Sequence, residues 1–308
     1  MAGTEEVMNS DEFESWVKSL HAADRYGPDD EIGTLNYLDP EARQRGRAAI
    51  RSGLSVGLGA DLQTGPTLRD NGQSAFELEV FKLSGGSGVS LPEGTDIQMD
   101  RVEMECHGPV NTHLDALNHM GFFGTWFDGS PNSTMTAKGS VLAIARHGIF
   151  TRGVYIDVAQ VRGTPYLEPG SLVTGDDIDE SLEASGITFM PGDALILDCG
   201  RDRFEDIHGP WIESNPRPGC GPGAAAWVEQ HKPSLVCWDM LDGSAPGMVE
   251  GSLHYLNWAI GLVLIDNCNF TAARSLLRDA GTVVGALVAS PLPISGATGC
   301  NVNPSFIV

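Results

Sequence analysis

Positive charge is what this chain most lacks. Lys and Arg total 19 against 41 Asp and Glu in 308 residues, a formal net charge of −22. That balance disfavours nucleic acid and anionic membrane, which are held by basic groups. No stretch reaches the ~18 apolar residues of a membrane span. The N-terminus Met1-Ala2-Gly3-Thr4-Glu5-Glu6 lacks the basic-then-apolar order of a secretory signal. The six cysteines, at 106, 199, 220, 237, 268 and 300, form no Cys-x-x-Cys pair. Neither a zinc knuckle nor a disulfide framework is indicated, and a reduced, cytoplasmic setting fits. Gly219-Cys220-Gly221-Pro222-Gly223 contains proline and lacks G-x-G-x-x-G spacing after a strand, so dinucleotide binding is not expected. There is no G-x-x-x-x-G-K-[ST] loop and no Gly-x-Ser-x-Gly elbow, which weakens nucleotide-binding and serine-hydrolase readings.

Histidine is scarce too, with eight in the chain, yet three stand in the thirteen residues from His107 to His119. In an extended strand residues two apart share a face, so His113 and Asp115 can chelate one ion while Leu114 and Ala116 turn to the core. Imidazole nitrogen and carboxylate oxygen suit zinc, manganese or iron better than calcium or magnesium. Asn118-His119 follows one short turn later, close enough for His119 to act on a metal-bound water without binding the ion. Val102-Glu103-Met104-Glu105-Cys106 alternates as a half-buried strand should and is expected to lead into the cluster. A lone histidine is more often a hydrogen-bonded interior group. A cluster of ionisable groups is costly to bury without a role.

Phe13, Trp16, Val17 and Leu20 fall at helical spacing after acidic residues, predicting an N-terminal helix. Asp39-Pro40 predicts a second over 40–52, and Thr174 caps a third ending near Gly186. Apolar runs at 54–62, 76–83, 102–106, 154–158, 194–199, 235–240, 262–265 and 283–289 read as strands. Residues 223–231 and 253–260 read as helices, and 84–88 as a mobile loop. This mixture indicates α/β or mixed β with peripheral helices. With no repeat and no linker, one domain spans 1–308, with a helical extension over about 1–25.

A site of His113 and Asp115 alone is underfilled, and His254 and Asp266 are the distant candidates. His254 would sit on a helix, and Asp266 ends an apolar strand. Taken singly, His254 could be a surface residue and Asp266 a cap for the helix near Thr271. Gly121-Phe122-Phe123-Gly124-Thr125-Trp126-Phe127 follows the cluster and could line a pocket for an aromatic or cyclic substrate, or be ordinary core, as could Trp211 and Trp258.

Thr112-His113-Leu114-Asp115-Ala116 followed by His119 resembles the signature of the cyclase/kynurenine formamidase family of metal-dependent hydrolases. The resemblance extends to Asp30–Asn36, to His254 with Asp266, to Asp266–Phe270 and to Gly299–Pro304, and matches the larger, roughly 300-residue branch from about residue 25 onward. The family pattern places a first histidine where this chain has Pro109, and its glutamate corresponds to Asp266. His107, six residues before His113, is expected to replace the missing ligand. The resemblance implies a swivelling β/β/α-type fold with a central, mostly antiparallel, barrel-like sheet and peripheral helices. It also implies a homo-oligomer (dimer or tetramer) and a bound zinc or manganese ion.

The expected activity is metal-assisted hydrolysis of an amide, formamide, cyclic imide or lactone in a small-molecule substrate. His107, His113, Asp115, His254 and Asp266 are the candidate metal ligands, and His119 the general acid–base. Two rivals differ in class. A non-haem iron oxygenase would use His113, Asp115 and His254 as a facial triad, and would consume oxygen with iron and an oxo-acid. A non-catalytic metal-binding relative would hold metal without hydrolysing anything.

Overall fold

A computed structural model describes residues 8–66, 75–83, 92, 94–211, 216–242 and 252–308. The strands in chain order are β1 (Ser55–Gly57), β2 (Phe76–Leu83), β3 (Ile97–Met104), β4 (His113–Asp115), β5 (Ile149–Asp157), β6 (Leu172–Val173), β7 (Ala194–Asp198), β8 (Gly219–Cys220), β9 (Leu235–Trp238), β10 (Val263–Asp266), β11 (Val284–Ala289), β12 (Gly299–Asn301) and β13 (Ser305–Ile307). The helices are α1 (Ser10–Leu20), α2 (Pro40–Ala49), α3 (Val141–His147), α4 (Val158–Val161), α5 (Gly175–Ser185), α6 (Arg201–His208), α7 (Pro222–His231), α8 (Ser252–Ile260) and α9 (Thr271–Ala280).

Local chemistry sets the helix ends. Asn9 and Glu12 close a capping box on α1, and Thr174 and Asp177 close one on α5. α5 stops where Gly186 turns left-handed. α2 is shorter than its sequence signal, because Ile50 leaves the helix with extended dihedrals.

Nine strands join in one sheet in the order β1-β13-β11-β5-β7-β9-β10-β4-β12. β5, β7, β9 and β10 run parallel, and every other pairing in the sheet is antiparallel. The expected mixed, mostly antiparallel architecture is therefore present, with a parallel block at its centre. The sheet curls into a half-barrel with helices around it. Alternate residues feed two cores. Leu195, Leu197, Val236 and Leu264 pack on one face with Phe13, Ile178, Val228 and Leu256 from α1, α5, α7 and α8. Ile196, Cys237, Ile265 and Leu114 pack on the other with Ile144 of α3 and Leu277 of α9.

Three expectations need correction. The 54–62 run forms a strand only over β1; Leu54 and Leu62 stay exposed, and Leu58, past the strand, is buried. The 102–106 run belongs to β3, which starts at Ile97 and pairs only with β2, as an exposed hairpin. Its alternation does not mark a half-buried strand, since Leu78, Val80, Met99 and Val102 all face out. Nor does it run directly into the cluster, because an irregular stretch over 105–112 intervenes. The 84–88 loop lies outside the described residues. Among those described, no helix is long and apolar enough to cross a membrane.

Candidate metal centre

β4 lies between β10 and β12, with His113 opposite Asp266 and Asn301, and Asp115 opposite Leu264 and Gly299. Antiparallel partners share a face, so His113, Asp115 and Asp266 project together. Leu114 and Ala116 enter the opposite core, as the period of two requires. α8 covers this face and turns His254 down onto it.

Asp115 is the hub and is wholly buried. Its Oδ1 lies 2.9 Å from His107 Nδ1, 3.5 Å from His113 Nε2 and 3.9 Å from His119 Nε2, and its Oδ2 lies 3.1 Å from His254 Nε2. His254 Nε2 is also 3.6 Å from Asp266 Oδ2. The rings of His107 and His119 stack at 3.8 Å. Among the described residues two groups could hold a metal ion, His107/Asp115/His119 and His113/Asp115/Asp266, the donor atoms of each within 4.8 Å of one another. His254 touches the second group through both carboxylates. All six residues singled out in the sequence thus converge. His254 is buried rather than superficial, and Asp266 does not cap α9, whose N-cap is Phe270.

Supporting groups fix the rings. His113 donates its Nδ1–H to the Asn111 carbonyl at 2.8 Å, which leaves the Nε2 lone pair facing Asp115. His254 Nδ1 bonds Asp242, and His107 Nε2 lies 2.9 Å from the Thr298 hydroxyl. Trp238 donates its indole N–H to Asp266 Oδ1 at 2.6 Å. Gly299 is glycine for a steric reason: a Cβ there would stand 2.5 Å from His107 Cε1. Asp242, Trp238, Asn111 and Thr298 carry no local motif, and sequence reasoning missed them.

The electrostatics are those of a cation site. Burial would raise Asp115, but His119, His113, His107 and His254 hold its carboxyl well below the usual range. Burial lowers His113, and burial with the neighbouring imidazoles lowers His119 to about 4, against the pull of Asp115. Burial opposes charging His254, yet Asp242, Asp115 and Asp266 raise it well above its ordinary value. Asp266 is raised by burial, with Asp115 adding to it.

Whether these residues fit a metal is tested by Asp266 Oδ2, which is buried and has no hydrogen-bond partner among the described residues. It lies beside the inward lone pair of His113, an arrangement of acceptors that a divalent cation satisfies. The mixed imidazole and carboxylate donors, with rings oriented from behind by a carbonyl and a carboxylate, suit a divalent cation.

Gly121–Phe127 divides. Phe127 is core, Phe122 stacks on Tyr255, and Phe123 is 41% exposed at a positive φ of 50°. Trp258 is buried and stacks on His21, and Trp211 is buried against Phe204.

A curled mixed sheet with a buried His/Asp cluster along one edge of its parallel block defines a recognisable class of fold. The cyclase family model matches residues 36–243, well over half of the chain, and the protein belongs to that family. A crystal structure of a novel cyclase superposes with a TM-score of 0.78 at 21% identity, covering 95% of this chain and 99% of that one. Isatin hydrolase A from Ralstonia solanacearum is similar at a TM-score of 0.57 and 18% identity, over 84% of this chain and 92% of its own. An isatin hydrolase bound to the product analogue thioisatinate is similar at 0.57 and 17%, over 89% and 98%. No curated protein matches in sequence.

Proposed function

We propose that the protein is a metal-dependent hydrolase that opens a C–N or lactone bond in a small cyclic or aromatic substrate. The observation that carries this reading is the unpartnered buried oxygen of Asp266, facing His113 and Asp115 in a pocket of imidazoles. His113, Asp115, Asp266, His254 and His107 would hold the ion. A divalent ion in such a set supplies Lewis-acid polarisation of a carbonyl and a water acidified toward neutral pH.

The chain's own residues then have distinct tasks. Asp115 anchors both ligand groups. Asp242 and the Asn111 carbonyl keep His254 and His113 in the tautomers that present Nε2 inward. His119, stacked on His107 and partly open to solvent, is neutral at pH 7, and its Nε2 can take a proton from water and return it to the leaving atom. Cyclic amides fit this reading, and the isatin hydrolases that share the fold act, by their name, on isatin.

The assembly expected of such a protein, a homo-oligomer, is part of the same reading. The β2–β3 hairpin leaves Leu78, Val80, Met99 and Val102 uncovered, more apolar surface than an isolated two-stranded ribbon tolerates well in water. Six cysteines without a disulfide suit a reducing cytoplasm.

Elemental analysis of the purified protein, followed by hydrolysis assays on N-formyl anilines, cyclic imides, isatin and lactones, tests the proposal. Stoichiometric zinc or manganese with metal-dependent, oxygen-independent turnover is expected. Metal without hydrolysis of any of the four classes would leave a binding protein instead.

A further inference from the structure

The stretch over 105–112 carries His107 and leads into His113, yet it has no strand or helix to hold it. Three of its carbonyls are instead taken by two side chains from far along the chain. Asn267 Nδ2 donates to Gly108 O at 2.7 Å and to Asn111 O at 3.2 Å, and Arg201 Nη2 donates to Pro109 O at 2.7 Å. Arg201 Nη1 also donates to Asn267 Oδ1 at 2.6 Å. A guanidinium only donates, so this bond forces the amide oxygen toward Arg201 and the amide nitrogen toward the loop. Asn267 achieves this from the left-handed region, at φ 56°, immediately after Asp266. Such a conformation costs free energy in any residue but glycine, and persists where surrounding contacts demand it.

We propose that Asn267, oriented by Arg201, is a positioning residue that fixes the directions in which His107 and His113 present their rings. The Asn111 carbonyl that receives Asn267 also receives His113 Nδ1, so one amide steadies the acceptor that selects the inward-facing tautomer. Gly108, its other acceptor, is the next residue after His107. Pro109, the position where the family pattern has a histidine, is turned to Arg201, and His107 reaches Asp115 in its place. This rests on reading the cluster as a metal site, but the ring geometry can be measured without metal.

Two variants test it. Asn267→Gly removes the amide and accepts a positive φ without strain. Arg201→Lys keeps the charge and loses the fork. In metal-free protein, long-range ¹H–¹⁵N NMR should show the Nδ1–H tautomer of His113 in the wild type and a tautomer mixture in both variants. Titration with Co²⁺ or Zn²⁺ should give affinities about 10- to 100-fold weaker, with cooperative melting retained. An unchanged tautomer and unchanged affinity would overturn the proposal. Loss of cooperative folding in both variants would also overturn it, since the pair would then serve the fold. If the wild type bound no divalent ion, the metal reading would fail alone, and the tautomer comparison would still decide the positioning role.

Discussion

Two sets of buried carboxylates lie along the same edge of the sheet and are neutralised in opposite ways. Around the ends of β5 and β7, Asp157 and Asp198 face guanidinium groups. Arg203 grips Asp157 at 3.0 Å through both terminal nitrogens and reaches Asp198 at 3.2 Å, and Arg274 binds Asp198 and Asp202. Asp198 also receives the Gly200 amide and the Tyr155 hydroxyl, so its lone pairs are all engaged. At the β10–β4 end, Asp115 and Asp266 face imidazoles, and one oxygen of Asp266 has no hydrogen-bond partner among the described residues. Guanidinium keeps its protons at every accessible pH, so the first set is closed. Imidazole can release a proton and offer a lone pair, so the second can accept a cation. The same acid type is closed off at the ends of two strands and left open to a cation at another, according to the base beside it.

Substitutions can break this division. The largest effect is expected from Asp115→Ala, which should abolish metal binding and lower turnover by at least about 10³-fold, measured by elemental analysis and steady-state assay, while leaving the fold intact. His119→Ala should retain metal and lose about 10²–10⁴ in rate. Equal metal loss in the two variants would instead make His119 a ligand, as its grouping with His107 and Asp115 permits. Arg274→Met should do the reverse of both, costing about 3 kcal/mol in urea unfolding because Asp198 and Asp202 lose a buried partner, with metal content unchanged. Metal loss there would erase the distinction between the two sets.

A pH-dependent effect is expected at Asp239, just after β9 and between the two sets. Burial, with Asp198 adding, lifts its carboxyl from 3.8 to about 8. A folded-state value above the unfolded one means that the folded chain keeps a proton through that window while the unfolded chain has released it. The contribution of Asp239 to the unfolding free energy should therefore fall as pH rises from about 4 to 8 and level off above. Asp239→Asn cannot ionise, and urea titrations between about pH 6 and 9 should show a flatter profile than the wild type. A parallel profile would assign the slope to other groups.

Short-range features of the fold were legible in the sequence. The His-x-Asp parity, the Thr174 cap and the apolar run closed by Asp266 all express local rules, and each appears where it was expected. The parallel block was not legible, because strand order depends on pairings between distant segments. The hairpin misled because its alternating apolar residues Leu78, Val80, Met99 and Val102 are exposed. Asp242 could not be paired with His254 from spacing alone, since the eleven residues between them show no period. One signal was available and unused. Ile156-Asp157, Leu197-Asp198, Trp238-Asp239 and Ile265-Asp266 repeat an apolar residue followed by aspartate at the ends of four neighbouring strands, marking a single edge on which acidic groups gather.

Gly299 gives the C-terminal segment a say in the chemistry. The β12 backbone passes so near His107 that one added methyl would collide with the ring. That methyl would also stand 2.7 Å from the Leu114 carbonyl of β4, so a single added carbon should disturb the strand that carries His113 and Asp115 along with the His107 ring. In a saturation library this position would tolerate fewer residues than any helix surface, and alanine, the mildest replacement elsewhere, would already count among the inactive ones.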